Sequence, residues 1–230
     1  MDGSSLSRRA ACDPEAAGCG CQPFGRALTV FLLVLVVARG APPVRAEEKA
    51  SAAAPGGPMA TTRLVLERTH TIVAGAGDRN QKLAALKELL RSFLDTDALG
   101  RKSMGKHLDG KSKQQIDQFQ SLFRELFIRT YVQRLLLFEV PEFAYGEEKI
   151  TGDHATVGTE IVTERDRFSV DYDLEKTSSG WRATDILVEG VSLAENFRSQ
   201  FDRALANDSF DGLLARLKSK LDNKPDASAF

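Results

Sequence analysis

Cysteine is scarce in this chain of 230 residues, and its three cysteines all lie near the N-terminus. Cys12, Cys19 and Cys21 precede an apolar run at residues 27–38, and no cysteine follows that run. This order excludes a lipoprotein signal, in which the modified cysteine would follow the apolar run. A chain that loses this region on export has neither a thiol nor a disulfide, so only its core stabilises it.

A surplus of charge of either sign is also missing. The 31 Lys and Arg residues nearly balance the 32 Asp and Glu residues, which gives a formal net charge of −1. This balance argues against a nucleic-acid partner and against binding to an anionic membrane surface. The hydrophobic share of 42% is ordinary for a globular protein. We therefore expect one domain of ordinary composition that binds no nucleic acid.

Familiar catalytic and metal-binding motifs are absent as well. The chain contains no G-x-S-x-G, P-loop or H-E-x-x-H sequence. His70, His107 and His154 stand at no ligand spacing from one another or from a cysteine. We therefore expect three solvent-exposed histidines, no metal site and no cofactor.

The first 46 residues have the order of charged and apolar residues that is typical of a signal peptide. Arg26 precedes twelve uncharged, mostly apolar residues, whereas a membrane-spanning helix needs about 20. Val44 and Ala46 suit a cut before Glu47, and a cut after Gly40 is the other candidate. We predict a signal peptide at 1–46 and an exported protein, with an uncleaved membrane anchor as the alternative.

The rest of the chain divides into a leader, one domain and a tail. Residues 47–61 are rich in Ala, Gly and Pro and predict a disordered leader, and residues 223–230 predict a flexible tail. Within the domain at 62–222, apolar residues repeat at helical spacing up to about residue 137. The longest helix starts near Ser112, and its apolar stripe comprises Ile116, Phe119, Phe123, Leu126, Phe127, Thr130, Tyr131 and Leu135.

Period-two alternation then predicts an antiparallel meander of about four strands. The strands begin near Phe143, Ala155, Phe168 and Trp181, and residues 151–154 and 177–180 have the composition of hairpin turns. Gly190 permits a close turn after the last strand. Ser192 and Glu195 form an S-x-x-E capping box, which starts a helix at once. Helices, a meander and further helices predict an α+β fold with the helices packed on one apolar face of a curved sheet.

Four carboxylates are the candidates for chemistry. Asp171 and Asp173 share one face of a strand, where a carboxylate pair could carry out acid–base catalysis. Tyr172 and its apolar neighbours occupy the opposite face, so we expect both aspartates to point to solvent. Asp185 and Glu189 are further candidates. An enzyme that uses Asp171/Asp173 or Asp185 with Tyr172 stays open as an alternative, as does an interaction module with a filled core.

Several stretches resemble the MlaC family of periplasmic phospholipid-binding proteins, also called the toluene-tolerance auxiliary component family. The most characteristic stretch is Val188-Glu-Gly-Val-Ser-Leu193, followed by Asn196, Arg198, Gln200 and Phe201. Gly180-Trp181-Arg182 and Asp171-Tyr172 also fit, and the resemblance covers about residues 62 to 222.

The resemblance implies an α+β fold like that of nuclear transport factor 2 (NTF2-like), in which a curved sheet and helices enclose an apolar cavity. It implies a phospholipid carrier that holds the two acyl tails in this cavity, in the periplasm of a double-membraned bacterium. The implied partners are an inner-membrane ABC transporter with an MCE-domain ring and an outer-membrane lipoprotein complex. A carrier of this kind needs no catalytic residue.

On this resemblance, the cavity lining comes from three parts of the chain. The predicted lining residues are Phe123, Phe127 and Tyr131 on the long helix, Val157, Ile161, Val170 and Tyr172 on the sheet, and Val188, Val191 and Phe197 around the turn. The inward face of the last long strand stays open. One apolar set on that strand is Trp181, Ala183 and Leu187, and the other is Ile186 and Val188.

Overall fold

The computed structural model describes residues 56–136, 142–163 and 166–223. Within these residues the chain forms four α-helices, then a five-stranded sheet, then two more α-helices. The predicted signal peptide and the tail beyond Asn223 lie outside the described residues. The architecture is α+β, which confirms the predicted fold class.

Four helices precede the sheet, and three of them begin at a polar cap. They are α1 (Pro58–Ala74), α2 (Arg79–Phe93), α3 (Thr96–Met104) and α4 (Lys113–Leu135), with a 3-10 turn at Gly105–Leu108 after α3. The side chains of Asp78, Asp95 and Ser112 each accept a backbone N–H bond in the first turn of α2, α3 and α4. These bonds satisfy amides that have no partner inside the helix.

The first helix begins earlier than the sequence predicts. Pro58 occupies the first helical position, where its fixed φ angle suits the turn and its missing N–H costs nothing. Met59 is buried, and its amide donates a hydrogen bond of 2.6 Å to the carboxylate of Glu148 in the sheet. Residues 58–61 of the predicted disordered leader are therefore helical, and the domain starts before the predicted boundary at residue 62.

The sheet is an antiparallel meander in which each strand pairs with the next along the chain. The strands are β1 (Glu142–Thr151), β2 (His154–Val162), β3 (Arg167–Thr177), β4 (Gly180–Val188) and β5 (Val191–Ser192). The two predicted hairpin turns connect β1 to β2 and β3 to β4. The short β5 was not predicted, because two residues are too few to show an alternating pattern.

The alternation in β2 and β3 sorts their side chains as predicted. Val157 lies opposite Tyr172, and both are buried. Asp171 and Asp173, between the inward residues of β3, are only partly buried. We call the face that carries Val157 and Tyr172 the inner face and the opposite one the outer face.

A β-bulge in β4 brings residues of both apolar sets to the inner face. Asp173 pairs with Asp185, but the next residue, Leu174, pairs with Ala183, so Thr184 is an extra residue in β4. One extra residue reverses the alternation of side chains along the rest of a strand. The inner face of β4 therefore carries Trp181, Ala183, Ile186 and Val188, whereas Leu187 belongs to the outer face.

The helices cover the sheet from several sides. The helices after the sheet are α5 (Leu193–Leu205) and α6 (Phe210–Asp222). Helix α1 contacts β1 and β2, whereas α2, α3 and α5 contact β4. Helix α4 packs against α2, α3 and α6. Among the described residues, no helix combines the length and the apolar character that a membrane crossing requires.

The turn between β4 and β5 is a two-residue hairpin loop. Glu189 and Gly190 have φ angles of 50° and 74°, and a type I′ turn needs positive φ at both central positions. Glycine adopts this conformation without strain, so Gly190 has the predicted role. Because β5 is so short, α5 starts directly beside the end of β4.

The carboxylate of Asp185 joins β4 to the start of α5. Asp185 is buried and accepts hydrogen bonds from the Ser192 hydroxyl at 2.5 Å, the Ala194 amide at 3.1 Å and the Ile186 amide at 2.8 Å. Ser192 in turn accepts a bond of 3.1 Å from the amide of Glu195. Only half of the predicted capping box forms: Ser192 accepts the Glu195 amide, and Asp185 accepts a different amide of the first turn, that of Ala194.

We expect Asp185→Ala to lower the free energy of unfolding by about 3 kcal/mol, because three donors would lose a shared acceptor in a buried place. Urea denaturation measures the change. Asp173→Ala is the matched control, since Asp173 accepts its bond from the Thr156 hydroxyl at an exposed position, and we expect a change within about 0.5 kcal/mol. A loss below about 1 kcal/mol in Asp185→Ala would contradict the role of this carboxylate.

Candidate functional site

The inner face of the sheet is buried in its middle rows and reaches solvent at the end that carries Phe143. In the middle, the ring of Tyr172 packs edge-on against Phe93 of α2, with ring centres 5.6 Å apart. The last inner row comprises Phe143, Ile161 and Phe168, which pair across β1, β2 and β3. All three side chains are half-buried, and we call them the open row. The apolar face therefore has an accessible edge.

A layer of aromatic rings joins α4 to α5. The ring layer comprises Phe119, Phe123, Phe127 and Tyr131 of α4, and Phe197 and Phe201 of α5. Phe119 contacts Phe201 with ring centres 5.6 Å apart, and Phe127 contacts Phe197 with ring centres 6.0 Å apart. Tyr131 stacks on Phe127 at 4.4 Å. The C-terminal half of α4 therefore lies beside the N-terminal half of α5.

The ring layer and the open row reach the same end of the molecule. Only six peptide units connect Leu136 to Glu142, and they span at most about 21 Å. The C-terminal end of α4 therefore lies within about 21 Å of the start of β1. Phe197 lies one turn into α5, which starts beside the end of β4. Tyr131 and Phe197 are the half-buried members of the ring layer, and both lie toward this end.

The tyrosines of this region are in apolar surroundings. Burial raises the pKa of Tyr131 to about 12, although the nearby Arg134 lowers it somewhat. Burial also raises the pKa of Tyr172 well above its ordinary value. Both phenols are therefore neutral at physiological pH, as expected for groups that border an apolar interior.

The candidate carboxylates do not assemble with Tyr172 into a catalytic group. Asp171 and Asp173 lie on the outer face, and Tyr172 lies on the inner face. Burial raises the pKa of Asp171, and the charges of Asp173 and Glu189 raise it further. The carboxylate of Asp185 is fully engaged at the start of α5. No cluster of metal-ligating residues is present in the part of the chain that the structure describes.

Two histidines, His70 and His107, differ from the prediction of solvent exposure, because both are half-buried. His107 is half-buried, because the 3-10 turn after α3 packs beside α5, and its Nε2 lies 2.5 Å from Oδ1 of Asp202. His154 is exposed in the first hairpin, with Nδ1 3.9 Å from a carboxylate oxygen of Glu175. Neither arrangement brings a second histidine into contact.

The ten predicted lining residues fall into three classes of exposure. Phe123, Phe127, Val157, Val170 and Tyr172 are buried, and Tyr131, Ile161, Val188 and Phe197 are half-buried. Val191 is 48% exposed, because it lies in the short edge strand directly after the hairpin turn. This exposure does not fit an enclosed lining, and the contact of Val191 with lipid stays a prediction.

Several inner-face residues are absent from the predicted lining, among them Phe143, Phe168 and Ile186. These three lie on the inner face and are half-buried. Phe168 has the same parity as Val170 and Tyr172, so the alternation could have identified it. Ile186 could not be placed without the bulge, and Phe143 could not be placed without the register of β1 against β2.

Open clefts occur elsewhere on the surface. One of about 390 Å³ is lined by the segment 106–111 and by residues at the start of α6. Another, of about 350 Å³, lies between α3 and the hairpin end of β1, β2 and β3. Charged and polar side chains contribute most residues of both linings. In contrast, the aromatic rings of α4 and α5 pack directly against one another.

Comparison with known proteins agrees with this architecture. Toluene tolerance protein ttg2D of Pseudomonas putida is 25% identical over 154 residues, which cover 62% of this chain and 72% of that protein. A phospholipid-binding protein from Ralstonia solanacearum, solved in complex with a phospholipid, has a TM-score of 0.62 at 23% identity. The match covers 70% of this chain and 94% of the solved chain. At that identity the likeness is one of fold.

The family assignment rests on most of the domain. Residues 61–219 match the family described as MlaC protein, a stretch that includes all the described helices and strands apart from the first residues of α1 and the last of α6. The chain therefore belongs to the MlaC family.

Proposed function

We propose that this protein is a phospholipid carrier that holds the acyl chains of a diacyl lipid between the inner face of the sheet and the ring layer. The observation that carries the proposal is that the buried inner face and the ring layer both end in half-buried apolar side chains, at the open row and at Tyr131 and Phe197. A similarly folded protein from Ralstonia solanacearum was solved with a phospholipid, which supports the same class of ligand here.

The physical need for a carrier follows from the size of the ligand. Two acyl chains contain about 30 methylenes, and each buried methylene is worth about 0.8 kcal/mol. Passage of a free lipid through water therefore costs on the order of 20 kcal/mol. A carrier lowers this cost by offering an apolar lining comparable to a bilayer, so exchange with a membrane is close to balanced and no chemical step is needed.

The proposal includes export and two membrane partners. The apolar run at 27–38 supports export with cleavage near Ala46, and membership of the MlaC family supports a periplasmic location. In this proposal the chain carries lipid between an inner-membrane ABC transporter with an MCE-domain ring and an outer-membrane lipoprotein complex.

An enzymatic role has less support. Acid–base catalysis needs its groups within hydrogen-bond reach of one substrate. Here the outer-face aspartates and Tyr172 are separated by the thickness of the sheet, and the carboxylate of Asp185 already accepts three hydrogen bonds.

The carrier proposal is tested by placing a tryptophan in the open row. We expect Ile161→Trp to keep a cooperative unfolding transition near that of the parent, because Ile161 is half-buried beside solvent. The indole would occupy space that the acyl chains need, so co-purified phospholipid should fall at least several-fold. Val157 is 0% exposed, so Val157→Trp should destabilise the fold by about 1–3 kcal/mol or more. Lipid mass spectrometry and thermal melts measure the two effects.

Val162→Trp is the matched control, since Val162 neighbours Ile161 in β2 and points to the outer face. It should retain bound lipid. All melts are compared on delipidated samples, because a bound ligand stabilises the folded state by mass action. If Ile161→Trp binds as much lipid as the parent, or if Val162→Trp loses lipid equally, the proposed site is wrong.

A second prediction separates the carrier from the enzyme. Changing Asp171 and Asp173 to Asn should leave lipid binding unchanged, because both carboxylates lie on the outer face. The raised pKa of Asp171 means that the folded state binds a proton more readily than the unfolded state. The charged form therefore lowers stability, and this loss disappears as the pH falls through the raised pKa.

We accordingly expect Asp171→Asn to raise the free energy of unfolding at pH 7, by less than about 1 kcal/mol, and to weaken the dependence of stability on acid pH. Urea denaturation at pH 7 and in mild acid measures both. Loss of lipid binding in a folded Asp171→Asn/Asp173→Asn protein would place the ligand on the other face of the sheet.

A further inference from the structure

Arg134 continues the apolar face of α4 at the end where the ring layer reaches solvent. It follows Tyr131 by three residues, so the two side chains lie on the same side of the helix. The guanidinium carbon of Arg134 lies 6.0 Å from the centre of the Tyr131 ring, and the side chain is half-buried. A cation therefore borders the half-buried part of the interior.

Other arginines near this helix are matched with acceptors. Arg124 binds Asp97 at 2.6 Å, and Arg129 donates to the backbone carbonyl of Leu221 at 2.7 Å, near the end of α6. Arg167, at the open end of the sheet, is exposed and pairs with Glu160 at 3.0 Å. Among the residues that the structure describes, Arg134 has the Tyr131 ring as its neighbour and no carboxylate or carbonyl acceptor.

The chemistry of this position fits a phosphate. A guanidinium group presents a planar set of donors that match two phosphate oxygens, and it carries less hydration than an ammonium group. A diacyl lipid with its chains in the interior must leave its phosphodiester where the interior meets water. Arg134 lies at that boundary, next to Tyr131. No described residue accepts a hydrogen bond from its guanidinium group.

We propose that Arg134 binds the phosphodiester of the bound lipid and thereby selects phospholipids over diacyl lipids that lack a phosphate. This inference rests on the proposed carrier function. It assigns head-group recognition to one residue of α4, whereas the apolar lining recognises the acyl chains.

The test is a competition between two lipids with identical acyl chains. Delipidated protein is incubated with vesicles that contain equal amounts of phosphatidylglycerol and diacylglycerol, and the bound lipids are quantified by mass spectrometry. We expect the parent to bind mainly phosphatidylglycerol. Arg134→Gln should reduce the ratio of phosphatidylglycerol to diacylglycerol about ten-fold, while the total amount of bound lipid changes less. Arg134→Lys should give a smaller reduction, because it keeps the charge but loses the paired donors.

Arg101→Gln is the control for net charge, since Arg101 is exposed on α3, and its lipid ratio should equal that of the parent. Circular dichroism and thermal melts check that each variant is folded. If Arg134→Gln does not fold, Arg134→Lys serves as the test. A ratio of phosphatidylglycerol to diacylglycerol equal to that of the parent then overturns the inference.

The outcomes separate the inference from the proposed function. If the parent binds neither lipid, the carrier function and the inference both fail. If the parent prefers phosphatidylglycerol and folded Arg134→Gln shows the same ratio, the role of Arg134 fails and the carrier function stands. An equal drop in Arg101→Gln would also overturn the role of Arg134, because general charge would then explain the selectivity.

Discussion

The continuity of the apolar inner face across β4 is the constraint on which the rest of the structure depends. With strict alternation, the apolar side chains at one end of β4 would point to the outer face. The extra residue Thr184 reverses the alternation, so that Ala183 and Ile186 both face inward although three positions separate them. The inner face thus extends from the contact of Phe93 with Tyr172 to the half-buried open row.

Strand β4 also positions the part of the ring layer that belongs to α5. Asp185, next to the bulge, accepts hydrogen bonds from the start of α5, and the type I′ turn at Glu189 and Gly190 keeps the connection short. Phe197 is therefore held one turn from the sheet and in contact with Phe127 of α4. The proposed lipid site depends on rigid positioning of apolar groups, and the polar residues Asp185 and Ser192 hold the start of α5 at β4.

Much of this could be predicted from local patterns, because alternation and helical spacing are properties of a few neighbouring residues. The opposite faces of Asp171 and Tyr172 follow from period two alone, and the stripe of α4 follows from its spacing. The bulge at Thr184 could not be predicted, since no glycine or proline marks it. The bond from Ala194 to Asp185 and the start of α1 at Pro58 depend on tertiary contacts that a linear pattern does not contain.

The central claim is that acyl chains lie between the inner face and the ring layer. The most direct measurement uses a phospholipid with a photoactivatable diazirine near the end of one acyl chain, loaded into the delipidated protein. After irradiation, peptide mass spectrometry locates the cross-links. The account predicts adducts on inner-face residues such as Val170 and on ring-layer residues such as Phe127. Adducts confined to the outer face, at Leu187 or Asp173, would contradict it.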